Sequence, residues 1–256
     1  GGRIAGYLTD EQRSHAGWIG SSKCEVIFER ALRASNAVFH ELWKRYRREK
    51  TMTQKQFLVL ASRNAGKTRE IRELLKGFPV EIKNLDDFGP IPVVEENGAT
   101  FDENAYEKAS FTAKILGLPA LADDSGIEVE ALDGVPGVHS ARYAGPNATD
   151  AENNARLLRE MEGKTNRAAA FMCVISIAVP SGVALTYEAR CDGFIAEAPA
   201  GDDGFGYDPL FYYPPLNRTF AQLSAEEKNR VSHRGKALAE LKAEFEKVLI
   251  WIGQRL

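Results

Sequence analysis

The chain is poor in cysteine and has no long apolar run. Its three cysteines, Cys24, Cys173 and Cys191, are an odd number set far apart, which excludes a zinc knuckle and a disulfide framework. Cys173 falls in an apolar, strand-like run and reads as a core residue. No apolar stretch approaches the ~20 residues that span a bilayer. The N-terminus also lacks the basic segment and apolar run of a secretory signal. These absences point to a cytoplasmic protein with no membrane partner. Repeats and low-complexity tracts are missing too, so solenoid and fibrous architectures drop out.

What is present suits a globular enzyme. The 256 residues are 44% apolar, enough for one large domain or two small ones. The net charge of −3 is unevenly spread. Residues 1–51 hold ten Lys and Arg against six Asp and Glu, and the remainder holds 23 against 30. An acidic body argues against a broad nucleic-acid footprint. It fits a protein that recruits a metal ion and binds phosphate locally.

Residues 24–46 carry Phe28, Leu32, Phe39, Leu42 and Tyr46 at helical spacing, ahead of the basic run Lys44–Lys50. Residues 1–51 therefore read as an N-terminal appendage with one amphipathic helix. A catalytic domain is expected over 52–256, from Met52. There, strands and helices alternate. Phe57–Ser62 has a buried-strand pattern, and a helix is expected over Gly66–Lys76. Thr100-Phe101-Asp102-Glu103 and Thr149-Asp150-Ala151-Glu152 are capping boxes that open helices. Ser224-Ala225-Glu226-Glu227 resembles a third, and Ser232 caps a final helix. Pro119–Ala122 and Ile127–Leu132 read as two short strands, and Ala168–Cys191 as a hairpin. The class is α/β with a mixed sheet flanked by helices.

Four segments carry chemistry. Ala61 to Thr68 almost spells a P-loop, with alanine where the first glycine belongs. Backbone N–H groups at the helix start, together with Lys67, would welcome a triphosphate. An ordinary strand-to-helix turn remains open as the alternative. Asp123 and Asp124 close an apolar run, where α/β sheets place ligands. Neighbouring strand residues point to opposite faces, so one of the two reaches a metal most easily. Magnesium needs only one or two protein carboxylates, because it keeps waters and borrows phosphate oxygens. Gly204-Phe205-Gly206-Tyr207-Asp208-Pro209 brings backbone and aromatic rings near a flat ligand, or forms a tight turn anchored in the core. Lys228, His233 and Arg234 surround a helix start, where basic groups suit phosphate or a carbonyl oxygen.

Taken in order, these segments resemble the inosine triphosphate pyrophosphatase family, the XTP/dITP diphosphatases. The similarity runs from about Phe57 to the last helix. It takes in Glu95-Glu96-Asn97-Gly98-Ala99-Thr100-Phe101, Glu103-Asn104-Ala105, Pro136 to Tyr143, and Ala198-Pro199-Ala200-Gly201. The resemblance implies a two-lobed α/β fold with a central cleft, usually a homodimer. It implies Mg2+-dependent hydrolysis of ITP, dITP and XTP to the monophosphate and pyrophosphate. Under it, Ser62, Arg63, Asn64, Ala65, Gly66 and Lys67 hold the triphosphate, and Ser125 contacts substrate. Asp124 and one of Glu95 or Glu96 bind the metal, and Asp124 is also the general base, expected near its ordinary pKa. Phe205, Gly206, Tyr207 and Asp208 form the nucleobase side with Lys228, His233 and Arg234. The rival reading is a P-loop ATPase or kinase built on Gly66-Lys67-Thr68. A nucleic-acid binder using the basic N-terminal helix ranks well behind.

Overall fold

The computed structural model describes residues 56–63, 65–89, 91, 94 and 96–256. The expected appendage over 1–51, the start at Met52, and the site candidates Asn64 and Glu95 lie outside the described residues.

A seven-stranded mixed sheet organises the chain in the order β2-β1-β3-β4-β5-β6-β7. The strands are β1 (Gln56–Leu60), β2 (Val80–Asn84), β3 (Ala120–Val129), β4 (Ala168–Ala178), β5 (Ala184–Ile195), β6 (Phe211–Tyr213) and β7 (Arg218–Thr219). β1 runs parallel to β2 and β3, and every later pairing is antiparallel. Among the described residues the α-helices are α1 (Ala65–Leu74), α2 (Phe101–Leu116), α3 (Asp150–Glu160), α4 (Ala225–Val231) and α5 (His233–Gly253). Among the described residues, no helix is long and apolar enough to cross a membrane.

Local sequence sets most helix boundaries. Thr100, Thr149 and Ser224 each accept from the backbone N–H three residues on, and Glu103, Glu152 and Glu227 return the bond. Ser232 Oγ accepts from Gly235 N–H and starts α5. Such caps satisfy donors that a helix start leaves orphaned, each contributing about 1 kcal/mol. Gly117 ends α2 in the left-handed conformation at φ +64°.

The two short strands expected over Pro119–Ala122 and Ile127–Leu132 are one strand. β3 runs unbroken through Asp123-Asp124-Ser125-Gly126, because β4 pairs with all ten of its residues, from Ala120↔Ala178 to Val129↔Ala169. Tertiary pairing overrides the weak strand preference of Asp, Ser and Gly. The two aspartates therefore lie in mid-strand, not at a strand end. What ends near them is β1, which pairs with β3 only through Leu60↔Leu121. Beyond that point the 137–142 turn takes up the same edge, with Ser140 Oγ accepting from Ile127 N–H at 2.9 Å. Asp123–Gly126 thus occupy a gap between two coverings of one strand.

Two apolar clusters meet across the same stretch. One joins Leu58, Leu60, Leu121 and Ile175 to Leu241, Phe245 and Trp251 of α5. The other gathers Ile127, Phe171, Phe211 and Phe220 with Leu157 of α3. Gly126 lets the 137–142 turn close onto the sheet. A Cβ there would stand 2.5 Å from Gly137 O, 2.5 Å from Ser140 Oγ and 2.8 Å from Phe101 Cε1. Gly126→Ala is expected to cost about 1–3 kcal/mol, the usual range for overpacking. Denaturant unfolding would measure it, and an unchanged midpoint would contradict the close approach.

Candidate active site

The two aspartates of β3 face opposite sides of the sheet. Asp123 points toward α1 and the start of α5. Its carboxylate lies 2.9 Å from Lys67 Nζ and accepts from Arg234 Nε and Nη2, both at 3.3 Å, and from Ser125 Oγ at 3.0 Å. Burial alone would push this carboxyl up, but Lys67 and Arg234 outweigh it and hold the group well below the usual carboxylate range. Asp123 is a fixed anion that locks two cations in place.

Asp124 points toward α2. It accepts from Lys108 Nζ at 2.7 Å and from Asn104 Nδ2 at 3.3 Å. Lys108 Nζ also donates to Glu96 Oε1 at 3.1 Å. Glu96 is held further by Arg142, whose Nη2 donates to the Glu96 carbonyl at 3.2 Å. Burial raises the pKa of Asp124, and Lys108 opposes the shift without cancelling it. The expectation of an ordinary pKa is corrected accordingly. Two adjacent carboxylates are thus tuned in opposite directions by their faces of one strand.

The expected phosphate loop is split in its behaviour. Lys67 turns inward to Asp123. Arg63 turns outward, donating to the Ile91 carbonyl at 3.4 Å and lying 3.5 Å from Asp86. Ser62 precedes it, and Ala65 and Gly66 open α1. Thr68 is buried and lines a separate cleft with Ser62, Arg69 and Arg72. That cleft does not include Lys67, which leaves the P-loop arrangement without support.

A cavity of about 280 Å3 collects most of the other candidates: Lys67, Ser125, Phe205, Gly206, Tyr207, Asp208, Lys228, His233 and Arg234. Phe205 stays 44% exposed at its rim, while Tyr207 is buried and donates its hydroxyl to the Ser140 carbonyl at 2.8 Å. Of the two aromatic rings only Phe205 is exposed, and it has the Lys228 and Arg234 cations against it. Lys228 Nζ hydrogen-bonds Asp208 and sits 4.5 Å from the Phe205 ring centroid, a cation–π distance. Burial pushes the Asp208 carboxyl up, against the pull of Lys228.

His233 is buried and stacks on Phe171 with ring centroids 4.6 Å apart. Burial, then the nearby Arg234 and Lys228 charges, depresses its pKa well below the usual value, so the imidazole is neutral. Its Nδ1 has no hydrogen-bond partner among the described residues. His233 also lines the cavity.

Lys108 and Asn104 are the residues that sequence reasoning missed. They stand four apart on α2, on one helix face with the buried Ala105 and Ala109 nearby. An amide and a lysine at helical spacing beside an alanine-rich stripe was the available signal.

Comparison with known proteins gives the family. The model of the Ham1 family matches residues 58–244. A dITP/XTP pyrophosphatase of Syntrophobacter fumaroxidans is 64% identical over 198 residues, covering 77% of this chain and 85% of that protein. One from Geobacter sulfurreducens is 54% identical over 187 residues, covering 72% and 94%. A HAM1 protein from Coxiella burnetii superposes with a TM-score of 0.72 at 44% identity, over 75% of this chain and 99% of the other. The Ham1 pattern spans the sheet, the paired aspartates and the cavity, and the chain belongs to the Ham1 family.

Proposed function

We propose that this chain hydrolyses dITP, ITP and XTP to the nucleoside monophosphate and pyrophosphate, with Mg2+ as cofactor. The observation that carries the reading is the pair of buried aspartates on opposite faces of β3, next to a cavity rimmed by the exposed Phe205 ring and the basic groups Lys67, Lys228 and Arg234. The relatives' names, dITP/XTP pyrophosphatase, supply the substrate class.

Glu96 and Asp124 fit a divalent cation. Both carboxylates already bond one ammonium, Lys108 Nζ, so their oxygens converge on a single positive charge. Hard oxygen donors of this number suit Mg2+, which completes its shell with water and phosphate oxygens. Glu95, the preceding residue in the sequence, is the alternative partner for Asp124. Bound there, Mg2+ would polarise a phosphoryl oxygen and acidify a water.

The protein's own groups do the rest. Asp124, with its raised pKa, accepts the proton of the attacking water. Lys67 and the backbone N–H groups at the start of α1 bind the triphosphate and offset its charge. Lys108 lies beside Asp124 and steadies its ionised form. Ser125 contacts the substrate near the phosphates. Phe205 takes the base on its face, with Gly206, Tyr207 and Asp208 shaping the turn. His233 Nδ1, with Lys228 and Arg234 nearby, reads the 6-oxo group that hypoxanthine and xanthine carry and adenine lacks. Two copies of the chain associate as a homodimer, as the family resemblance implies.

Asp124→Asn should keep the fold and lower kcat at least 100-fold, the lower end for loss of a general base. Product analysis with ITP and Mg2+ tests it. Orthophosphate in place of pyrophosphate, or near-normal turnover, would sink the assignment.

In the metal-free site, burial favours the protonated Asp124 carboxyl. Mg2+ binding needs that carboxyl ionised, so the apparent Mg2+ affinity should begin to fall, as pH is lowered, above the ordinary aspartate range. Lys108→Met removes the opposing cation, so the fall should begin at higher pH. Mg2+ titrations at several pH values read this directly, and a downward shift would contradict the Lys108–Asp124 coupling.

His233→Ala should erode the preference for ITP over ATP by roughly 10- to 100-fold, the worth of one unmatched buried polar group. Equal loss on both nucleotides would remove His233 from base reading.

A further inference from the structure

The exposed Phe205 ring is held by residues that the reaction itself does not use. Gly206 follows Phe205 with φ of +62°, and Gly204 precedes it at +83°. Glycine visits many backbone conformations about equally, so a Gly-Phe-Gly turn does not choose one on its own. Something outside the turn must select it.

Helix α3 supplies that selection. Gly206 N–H donates to Asp150 Oδ2 at 2.6 Å, and the Gly206 carbonyl accepts from Asn154 Nδ2 at 2.9 Å. Both backbone polar groups of one glycine are therefore taken by one helix. Asp150 and Asn154 are four residues apart and share a helix face. The capping box of Thr149 and Glu152 fixes the turn of helix that presents them. Asn153, between them, grips the neighbouring turn instead, accepting from Ala144 N–H at 2.7 Å and donating to the Ala141 carbonyl at 3.2 Å. On the other side, Phe205 N–H donates to Asp208 Oδ2 at 2.9 Å. The ring thus projects from a backbone fixed on both flanks.

We propose that Asp150 and Asn154 are positioning residues that pre-set the Phe205 ring, and so determine the affinity for the purine end of the substrate. This rests on the reading of the cavity as the purine pocket. A turn that samples several states binds more weakly in proportion to the time spent in the wrong ones. The clamp removes that loss before substrate arrives. It acts on binding and leaves the reacting phosphate untouched, so its signature is in KM.

The test uses the full chain with ITP and Mg2+. Asp150→Ala and Asn154→Ala should each raise KM roughly 3- to 30-fold, from the net worth of one hydrogen bond, neutral or charge-assisted. kcat should change by no more than about twofold, since the transition state loses only what the ground state loses. Asp150→Asn keeps an acceptor and should recover most of the loss. In a Phe205→Ala background the same substitutions should have almost no further effect, because the ring they place is gone. Inhibition by inorganic triphosphate, which engages the phosphate side alone, should be unchanged throughout. An unchanged KM, full additivity with Phe205→Ala, or a parallel loss of triphosphate inhibition would each overturn the clamp.

Hydrogen exchange across residues 204–208 supplies a readout that needs no turnover. The Gly206 amide should exchange about tenfold faster or more in Asp150→Ala, since its acceptor is removed; unchanged exchange would overturn the clamp. If the unsubstituted protein leaves ITP intact, the pyrophosphatase reading fails, while exchange still decides whether the clamp exists.

Discussion

Everything at the site depends on the alternation of side chains along β3. Neighbouring residues of a strand face opposite sides of a sheet, so Asp123 and Asp124 enter two different environments one residue apart. The face of Asp123 carries Lys67 and Arg234, and the face of Asp124 carries Asn104, Lys108 and Glu96. A slip of one residue against β4 would exchange the two carboxylates between these faces. The ten paired residues of the β3–β4 ladder make that slip expensive. Register, more than any single contact, keeps the carboxylate held by two cations on one side and the carboxyl with the raised pKa on the other.

The same geometry explains the opposite tuning. Both aspartates are buried, and burial pushes both upward. Asp123 has two close cations, and they overwhelm the desolvation cost. Asp124 has one, shared with Glu96, and it does not. A buried ion pair that loses one partner is strongly destabilised, by about 3–5 kcal/mol. Lys67 and Asp123 are therefore structural partners as well as site residues.

Much of this was legible in the sequence, and the exceptions share a cause. Thr100, Thr149, Ser224 and Ser232 announced their helices because capping is local chemistry, settled within four residues. Each of the four motif segments contributes at least one residue to the cavity, Lys67, Ser125, Phe205 and His233 among them, because their residue types are unusual together. The continuity of β3 was hidden, since Asp-Asp-Ser-Gly reads as a break until β4, some fifty residues later, pairs across it. Lys108 was hidden for a similar reason. Its partners Glu96 and Asp124 lie on separate loops and strands, and only the fold brings them to one nitrogen. The outward turn of Arg63 and the stacking of His233 on Phe171 are likewise tertiary facts.

The site carries its own counterions. Among the described residues, Lys67 touches Asp123, Lys108 touches Asp124 and Glu96, and Lys228 touches Asp208. Asp123 also holds Arg234, so one carboxylate serves two cations and that group keeps a surplus positive charge. An incoming anion is drawn to the surplus but must compete with a carboxylate at each lysine. The resting charge balance therefore favours a ligand that carries several negative charges together over a single small anion.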